Sequence, residues 1–364
     1  MENGLITRWF LGANSGAGFY SLYDNFASGD GDFLWVIKGG PGCGKSAFMK
    51  KIGIAAEEKG LNVEYIRCSG DPASLDGIYL PSLKTGWVDG TAPHTLDPVH
   101  FGATGAYLDL GVFCDVESAH KIRGDVAAIS ARYKGLYARA YDCLRAAAAV
   151  APEKHPDLLK GTEKAAAVKR ASAAAARELP KMKKNAEPGS TTMRLISGIT
   201  CDGTVFLKDT LTTLCKRIYV LDNRYGLAEP YLREWLRLTR ERGLDTILCP
   251  SLLNPSVLEA LIIPSLSLGF LATSGDTDPG FKPYRHVRLD ALTDPERVRR
   301  LRPRLRADMK IKSALLDAAI ESLREAKDLH DALEAHYNPL IDFDGVRAAA
   351  DKEIARLMAG AGQP

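Results

Sequence analysis

The chain has 364 residues, enough for two ordinary domains, and 46% hydrophobic content, enough to fill two cores. A formal net charge of +3 excludes a strongly basic or acidic protein whose overall field selects its partners. The seven scattered cysteines (Cys43, Cys68, Cys114, Cys143, Cys201, Cys215 and Cys249) form no Cys-x-x-Cys pair, which argues against a disulfide frame or a zinc site. Reduced thiols and the lack of any apolar run of ~18 residues predict a soluble, cytoplasmic protein with no membrane partner.

In chain order, the first strong signal is an apolar run, Phe33 to Ile37, followed by Gly39-Gly40-Pro41-Gly42-Cys43-Gly44-Lys45-Ser46. A helical pattern (Phe48, Met49, Ile52, Ala56) then stops at Gly60. The eight residues fit Gly-x-x-x-x-Gly-Lys-Ser, the phosphate-binding P-loop or Walker A pattern. Glycines let successive backbone N–H groups and the following helix terminus converge on phosphate oxygens. Lys45 is then expected to reach the β- and γ-phosphates and Ser46 to ligate Mg²⁺. The inert alternative is a glycine-rich turn that binds nothing. Cys43 lies where N–H groups favour a thiolate, and a small packing residue is the simpler reading.

A triphosphate with Mg²⁺ also requires a carboxylate at a strand end. Asp89, closing the run Leu83 to Val88 after a predicted strand from Asn62 to Arg67, is the candidate Walker B acid; the plain alternative is a residue that only turns the chain before Gly90. Asp71 and Asp76 are the fallback metal ligands. Gly90, not glutamate, follows Asp89, so the residue that activates water is undetermined among Thr91, His94, Asp97 and His100. His94, Asp97 and His100 also have a metal-ligand spacing, but Pro93 and Pro98 make this a loop and exposed histidines the plainer reading.

The chain also repeats itself. Gly60-Leu61-Asn62-Val63 resembles Gly243-Leu244-Asp245-Thr246, and Ile78 to Leu83 resembles Leu261 to Leu266, both at a spacing of 183 residues (Gly60 to Gly243, Pro81 to Pro264). Arg8 to Gly12 resembles Arg194 to Gly198 at a slightly larger spacing. A constant offset implies two copies of one α/β unit. In the second copy Gly39, Gly44, Lys45, Ser46 and Ala47 become Asp222, Leu227, Ala228, Glu229 and Pro230, and Asp89 becomes Ala272. Carboxylates and a proline in place of the lysine and glycines predict a unit that keeps its fold without binding phosphate. Arg217, Arg224 and Arg233 are candidate fingers onto the γ-phosphate, or solvated surface residues.

Each copy is followed by helical sequence. Ile122, Val126, Ile129, Tyr133, Leu136, Ala140 and Leu144 form a seam that demands a partner, and the Ala165–Ala176 run is expected to return antiparallel to it. Leu315, Ala319, Leu323, Ala326, Leu329, Leu333 and Leu340 repeat the pattern before a last helix from Val346. The expected fold class is α/β, with two P-loop NTPase-like units in tandem, the second degenerate, each followed by a helical hairpin. The units span 1–116 and 189–293, the helical regions 117–188 and 294–364. Basic residues gather on the first helical stretch (Lys160, Lys164, Lys169, Arg170, Arg177, Lys181, Lys183, Lys184) and before the second (Arg297, Arg299, Arg300, Arg302, Arg304, Arg306). Without interleaved aromatics, solvated helix faces are favoured over nucleic-acid contact.

The sequence resembles an uncharacterised bacterial family of ATPase-like proteins built from tandem P-loop units. The resemblance is carried by Phe10 to Ala13, Lys38 to Ser46, Asp71 to Gly77 and Asp89 to His94. It implies a P-loop fold in both halves and ATP as the nucleotide. The second loop of that family can carry its own glycine-lysine-serine signature, which this chain lacks at Asp222 to Glu229. The function expected is that of an Mg²⁺-dependent ATPase whose helical elements move against each other or a protein partner. The alternatives are a small-molecule kinase using Asp71, Asp76, Thr91 and His94 around an acceptor, or a nucleotide-gated interaction module with little turnover.

Overall fold

The computed structural model describes residues 4–91, 95–181, 187–274 and 278–360. In the first unit, β1 (Ile6–Trp9) leads into a hairpin, β2 (Gly12–Ser15) and β3 (Gly18–Ser21), and then into β4 (Phe33–Lys38) and α1 (Lys45–Glu58). β5 (Val63–Arg67), β6 (Leu75–Leu80), β7 (Thr85–Asp89) and β8 (Gly105–Asp109) complete it. The helices α2 (Val116–Lys121), α3 (Arg123–Ala149) and α4 (Gly161–Glu178) follow. The second unit runs β9 (Thr191–Met193), hairpin β10 (Ser197–Thr200) and β11 (Gly203–Phe206), α5 (Lys208–Leu214), β12 (Arg217–Asp222) and α6 (Ala228–Arg240). It closes with β13 (Thr246–Pro250), β14 (Leu258–Ile263), β15 (Leu268–Thr273) and β16 (Arg285–Val287), before α7 (Pro295–Tyr337) and α8 (Phe343–Met358).

Both units build a mixed six-stranded sheet of one topology. The first has the order β1-β5-β6-β7-β4-β8 and the second β9-β13-β14-β15-β12-β16. In each, the third strand is antiparallel to both neighbours and the other pairings are parallel. The repeat extends to irregularities: both antiparallel ladders shift register at corresponding points, after Ile66 and after Cys249. Lys84 and Ser267, 183 positions apart, take φ of +48° and +46° in the turn before β7 and β15. The duplication read from sequence is therefore a duplication of fold.

The two units share a core. Phe10 and Leu195 exchange both main-chain hydrogen bonds at 3.0 Å, and one cluster of buried residues draws Trp9, Phe10 and Leu11 from the first unit and Leu195, Ile196 and Leu211 from the second. Arg194 crosses the seam to Glu64 at 2.7 Å, with both side chains largely buried. Glu259 lies on the same side: its Oε1 accepts from Ser197 Oγ at 2.8 Å, while Oε2 is buried without a hydrogen-bond partner.

The helices do not form the two expected hairpins. α3 lies antiparallel along α7, with Tyr133 beside His330 and Ala140 and Leu144 in one cluster with Ala319 and Leu323. The alanine-rich α4 packs instead on the second unit: Ala167, Ala171, Ala174 and Ala175 are buried with Tyr231 and Trp235 of α6. α8 returns to the first unit, where Val346, Ala350 and Leu357 join Phe48, Met49 and Ile52 of α1. Each helical stretch thus crosses to the other unit. Periodicity reveals a seam that needs a partner, but not which of two similar seams supplies it.

α7 is one helix of 43 residues, about 64 Å long at 1.5 Å per residue. Asp294 caps it by accepting from the Glu296 and Arg297 amides, and Pro295 takes the first turn, where no amide donor is missed. Arg297 turns inward and donates to Glu163 of α4 at 2.6 Å and to the Leu158 carbonyl. Burial pushes the Glu163 pKa up, but hydrogen bonds from Arg297, Thr162 and the Lys160 amide outweigh it and hold it down at about 2. No helix among the described residues is long and apolar enough to cross a membrane.

Arg297→Ala, which strands Glu163 as a buried charge, is expected to cost about 3–5 kcal/mol in urea unfolding at neutral pH. A cost below about 1 kcal/mol would show that the pair does not tie α4 to α7. Burial pushes the Glu259 pKa from an ordinary 4.5 up to about 7. The folded state then holds this proton more tightly than the unfolded one, so stability falls as pH rises through that interval. The stability advantage of Glu259→Gln over the native chain is expected to grow by about 2 kcal/mol between pH 5 and pH 8, measured by denaturant titration at both.

Candidate functional site

β4 sits between β7 and β8, parallel to both, with Ile37 opposite Asp89 and Lys38 opposite Asp109. The carboxyl ends of these three strands open together, where α/β sheets present their ligand crevices. The chain then turns through residues 39–44. Gly42 and Gly44 occupy the left-handed region at φ +68° and +84°, which costs an L-residue with a side chain roughly 1–2 kcal/mol. Gly44 is the N-cap of α1 and has no side chain with which to cap its first amides.

The structure brings Lys45 and Asp89 together. Lys45 Nζ donates to the Gly39 and Gly40 carbonyls at 2.9 Å each and lies 3.6 Å from Asp89 Oδ2, with both side chains largely shielded from solvent. Asp89 Oδ1 accepts from the amide and hydroxyl of Thr91 at 2.8 and 2.5 Å. Ser46 Oγ accepts from the Leu75 amide at 2.9 Å, which fixes the hydroxyl at the start of β6. Cys43 is fully buried, and burial, only partly offset by Lys45, pushes its thiol pKa up. It belongs to the core under the loop with Ile37 and Leu110, so it packs as a neutral thiol.

Other candidates are committed elsewhere. Asp76 is buried and takes the Tyr23 hydroxyl at 2.9 Å. Asp71 closes its own turn through Ser74 and faces Lys327 at 3.6 Å. Asp97 is exposed and held by Lys38 and Tyr107, His100 is exposed, and His94 and Pro93 lie outside the described residues. None of the three candidate fingers is on the first unit: Arg217 pairs with Glu178, Arg233 with Glu229, and Arg224 lies on the second unit's own loop. Of the basic residues, Arg297 is internal, Arg299 pairs with Glu296, and Lys183 and Lys184 are outside the described residues.

Local sequence missed the neighbours supplied from some 300 residues away. The end of α7 rests on the loop, where a Cβ added to Gly42 would lie 2.8 Å from Asn338 Oδ1 and 3.3 Å from Glu334 Cβ. A Cβ on Gly40 would meet Tyr337 at 4.0 Å, and one on Gly44 would meet Val346 of α8 at 3.2 Å. No spacing signal could have found these residues, because the contact follows from the crossing of the helices.

The second loop satisfies itself. Asn223 Oδ1 accepts from the Ala228 amide at 2.9 Å and so caps α6. Glu229 stands where Ser46 stands in the first unit and takes the Leu258 amide at 2.6 Å, as Ser46 takes Leu75. Asp222 pairs with His286 at 2.9 Å. Asp290 Oδ2 accepts from the Arg224 amide at 3.3 Å. Comparison of the chain with protein-family models, curated proteins and solved structures finds no match to any of them.

Gly44→Ala is expected to lower stability by roughly 1–2 kcal/mol through its backbone alone. Val346→Ala, which relieves only the contact at 3.2 Å, should then fail to rescue it in thermal unfolding. Full rescue would mean that crowding, not φ, holds that position to glycine.

Proposed function

We propose that the loop from Gly39 to Ser46 binds the phosphates of ATP together with Mg²⁺, and that events there are passed to the helices resting on it. The observation that carries this reading is Lys45 held beside Asp89, with Ser46 next in the chain, on a loop that has two left-handed glycines and leads directly into a helix. The donor set fits the group: amides and an ammonium for a polyanion, a hydroxyl and a carboxylate for a hard divalent cation. Ser46 and Asp89 would hold the metal, and Lys45 would exchange its carbonyl and carboxylate partners for phosphate oxygens. Bound Mg²⁺ would supply charge neutralisation across the phosphates. Glu334, Tyr337 and Asn338 lie against the same loop, so its rearrangement reaches α7 directly.

Between rapid turnover and a nucleotide-gated module with little turnover, one observation favours the latter. Among the described residues, Thr91 is engaged with Asp89, Asp97 with Lys38 and Tyr107, and neither is free to orient water. Two of the four residues considered for a kinase acceptor are otherwise engaged, Asp76 buried against Tyr23 and Asp71 turned toward Lys327.

Calorimetry with Mg²⁺ and ATP is expected to show one site per chain, weakened at least tenfold by Lys45→Ala. Asp89→Asn should remove most of the Mg²⁺ dependence. Phosphate release, if measurable, should be slow and vanish in Lys45→Ala. Failure of a folded native chain to take up ATP would remove the proposal.

A further inference from the structure

α7 meets the Gly39–Ser46 loop with its negative end. The helix runs 43 residues and stops here, with Asn338 as its C-cap, so a pole equivalent to about half an electron charge lies at the loop. The contact is close: a Cβ on Gly42 would lie 2.8 Å from Asn338 Oδ1, 3.3 Å from Glu334 Cβ and 3.4 Å from Glu334 Cα. Glu334 adds a carboxylate to the same end. An anion-binding loop is ordinarily met by the positive pole of a helix, as this one is by the start of α1.

The cations nearby do little to offset that charge. Lys45 is matched with Asp89 at 3.6 Å. Lys327, two turns before Glu334, is spent on Asp331 at 2.6 Å. Among the described residues Glu334 pairs with His330, whose Nδ1 lies 3.9 Å from Oε1, and an imidazole is a cation only when protonated. His336 in the last turn is exposed.

The same end is fastened to the chain that carries the loop. The Asp115 amide donates to the Leu340 carbonyl and the Asp342 amide to the Phe113 carbonyl, at 2.8 Å each. Just upstream, the Leu110 amide donates to the carbonyl of Lys38, the residue before the loop, also at 2.8 Å. The entry to the loop and the exit from α7 thus share one anchor, residues 110–115. A shift at either is felt at the other.

Resting on the reading of Gly39–Ser46 as a nucleotide loop, we propose that the end of α7 is an autoinhibitory contact: Glu334 and the negative pole of the helix oppose the phosphates, and nucleotide binds by loosening that end. By linkage, the seated helix end weakens nucleotide affinity by the factor by which nucleotide weakens the seat.

The test is calorimetry of Mg²⁺ and ATP on the native full chain, Glu334→Gln and Glu334→Lys, with Glu325→Gln, an exposed carboxylate elsewhere on α7, as control. Glu334→Gln is expected to bind at least threefold more tightly than the native chain, Glu334→Lys more tightly still, and the control equally; Glu334→Gln carries the test if the charge reversal does not fold. Amide hydrogen exchange of residues 334–341 in the native chain is expected to speed up at least threefold when Mg²⁺ and ATP are added. Native affinity in Glu334→Gln, or a weaker one, overturns the proposal and leaves the nucleotide loop standing. So does exchange that is unchanged or slowed, slowing being the mark of a lid that closes on bound nucleotide. If neither the native chain nor Glu334→Gln takes up ATP, the nucleotide reading of the loop falls and this inference falls with it.

Discussion

The antiparallel pairing of α3 with α7 is the constraint on which the rest of the architecture depends. Each helix emerges from its own unit with an apolar seam, and burying Ala140 and Leu144 against Ala319 and Leu323 hides both seams at once. Once the two are paired, the segments after them are delivered to the opposite unit. α4 then covers α6 and α8 covers α1. The shared core around Phe10 and Leu195 continues the same intimacy, so the two sheets are joined by backbone hydrogen bonds as well as by packing.

This exchange gives the two loops different surroundings. The first is approached from outside by the α7 terminus and α8, at Gly42 and Gly44, while its own glycines keep the main chain open. The second is filled from within by Asn223, Glu229 and Asp290, each of which takes a backbone amide. One fold therefore carries two different loops: a glycine-rich turn in one copy, and in the other a turn whose Ala228 and Arg224 amides are taken by Asn223 and Asp290. α7 borders both, lining a cavity beside Arg224 and Tyr225 near its start and resting on the glycine loop at its end.

Much of this was legible in the residues. The strand-loop-helix order around Gly39–Ser46 came from period and glycine placement, and the duplication came from a constant spacing that the turns at Lys84 and Ser267 reproduce. Asp89 was placed by its position at a strand end, and it lies beside Lys45. The start of α7 went unread: the arginine-rich stretch was taken as preceding the helix, although Asp294 and Pro295 open that helix ahead of it. What failed was partner choice for α3 and α4, which depends on which unit faces which.

By itself the sequence determined the α/β class, the repeat, the glycine-rich loop in one copy and its loss in the other, and the amphipathic seams, because these rest on residue type and short spacing. Only the tertiary structure decided that the helices cross, that Tyr337 and Asn338 sit on the glycine loop, and that Asp290 occupies the main-chain donors of its twin. The reason is physical. Local preference is set by neighbours along the chain, whereas the pairing of two nearly equivalent apolar seams is set by which arrangement buries both at once.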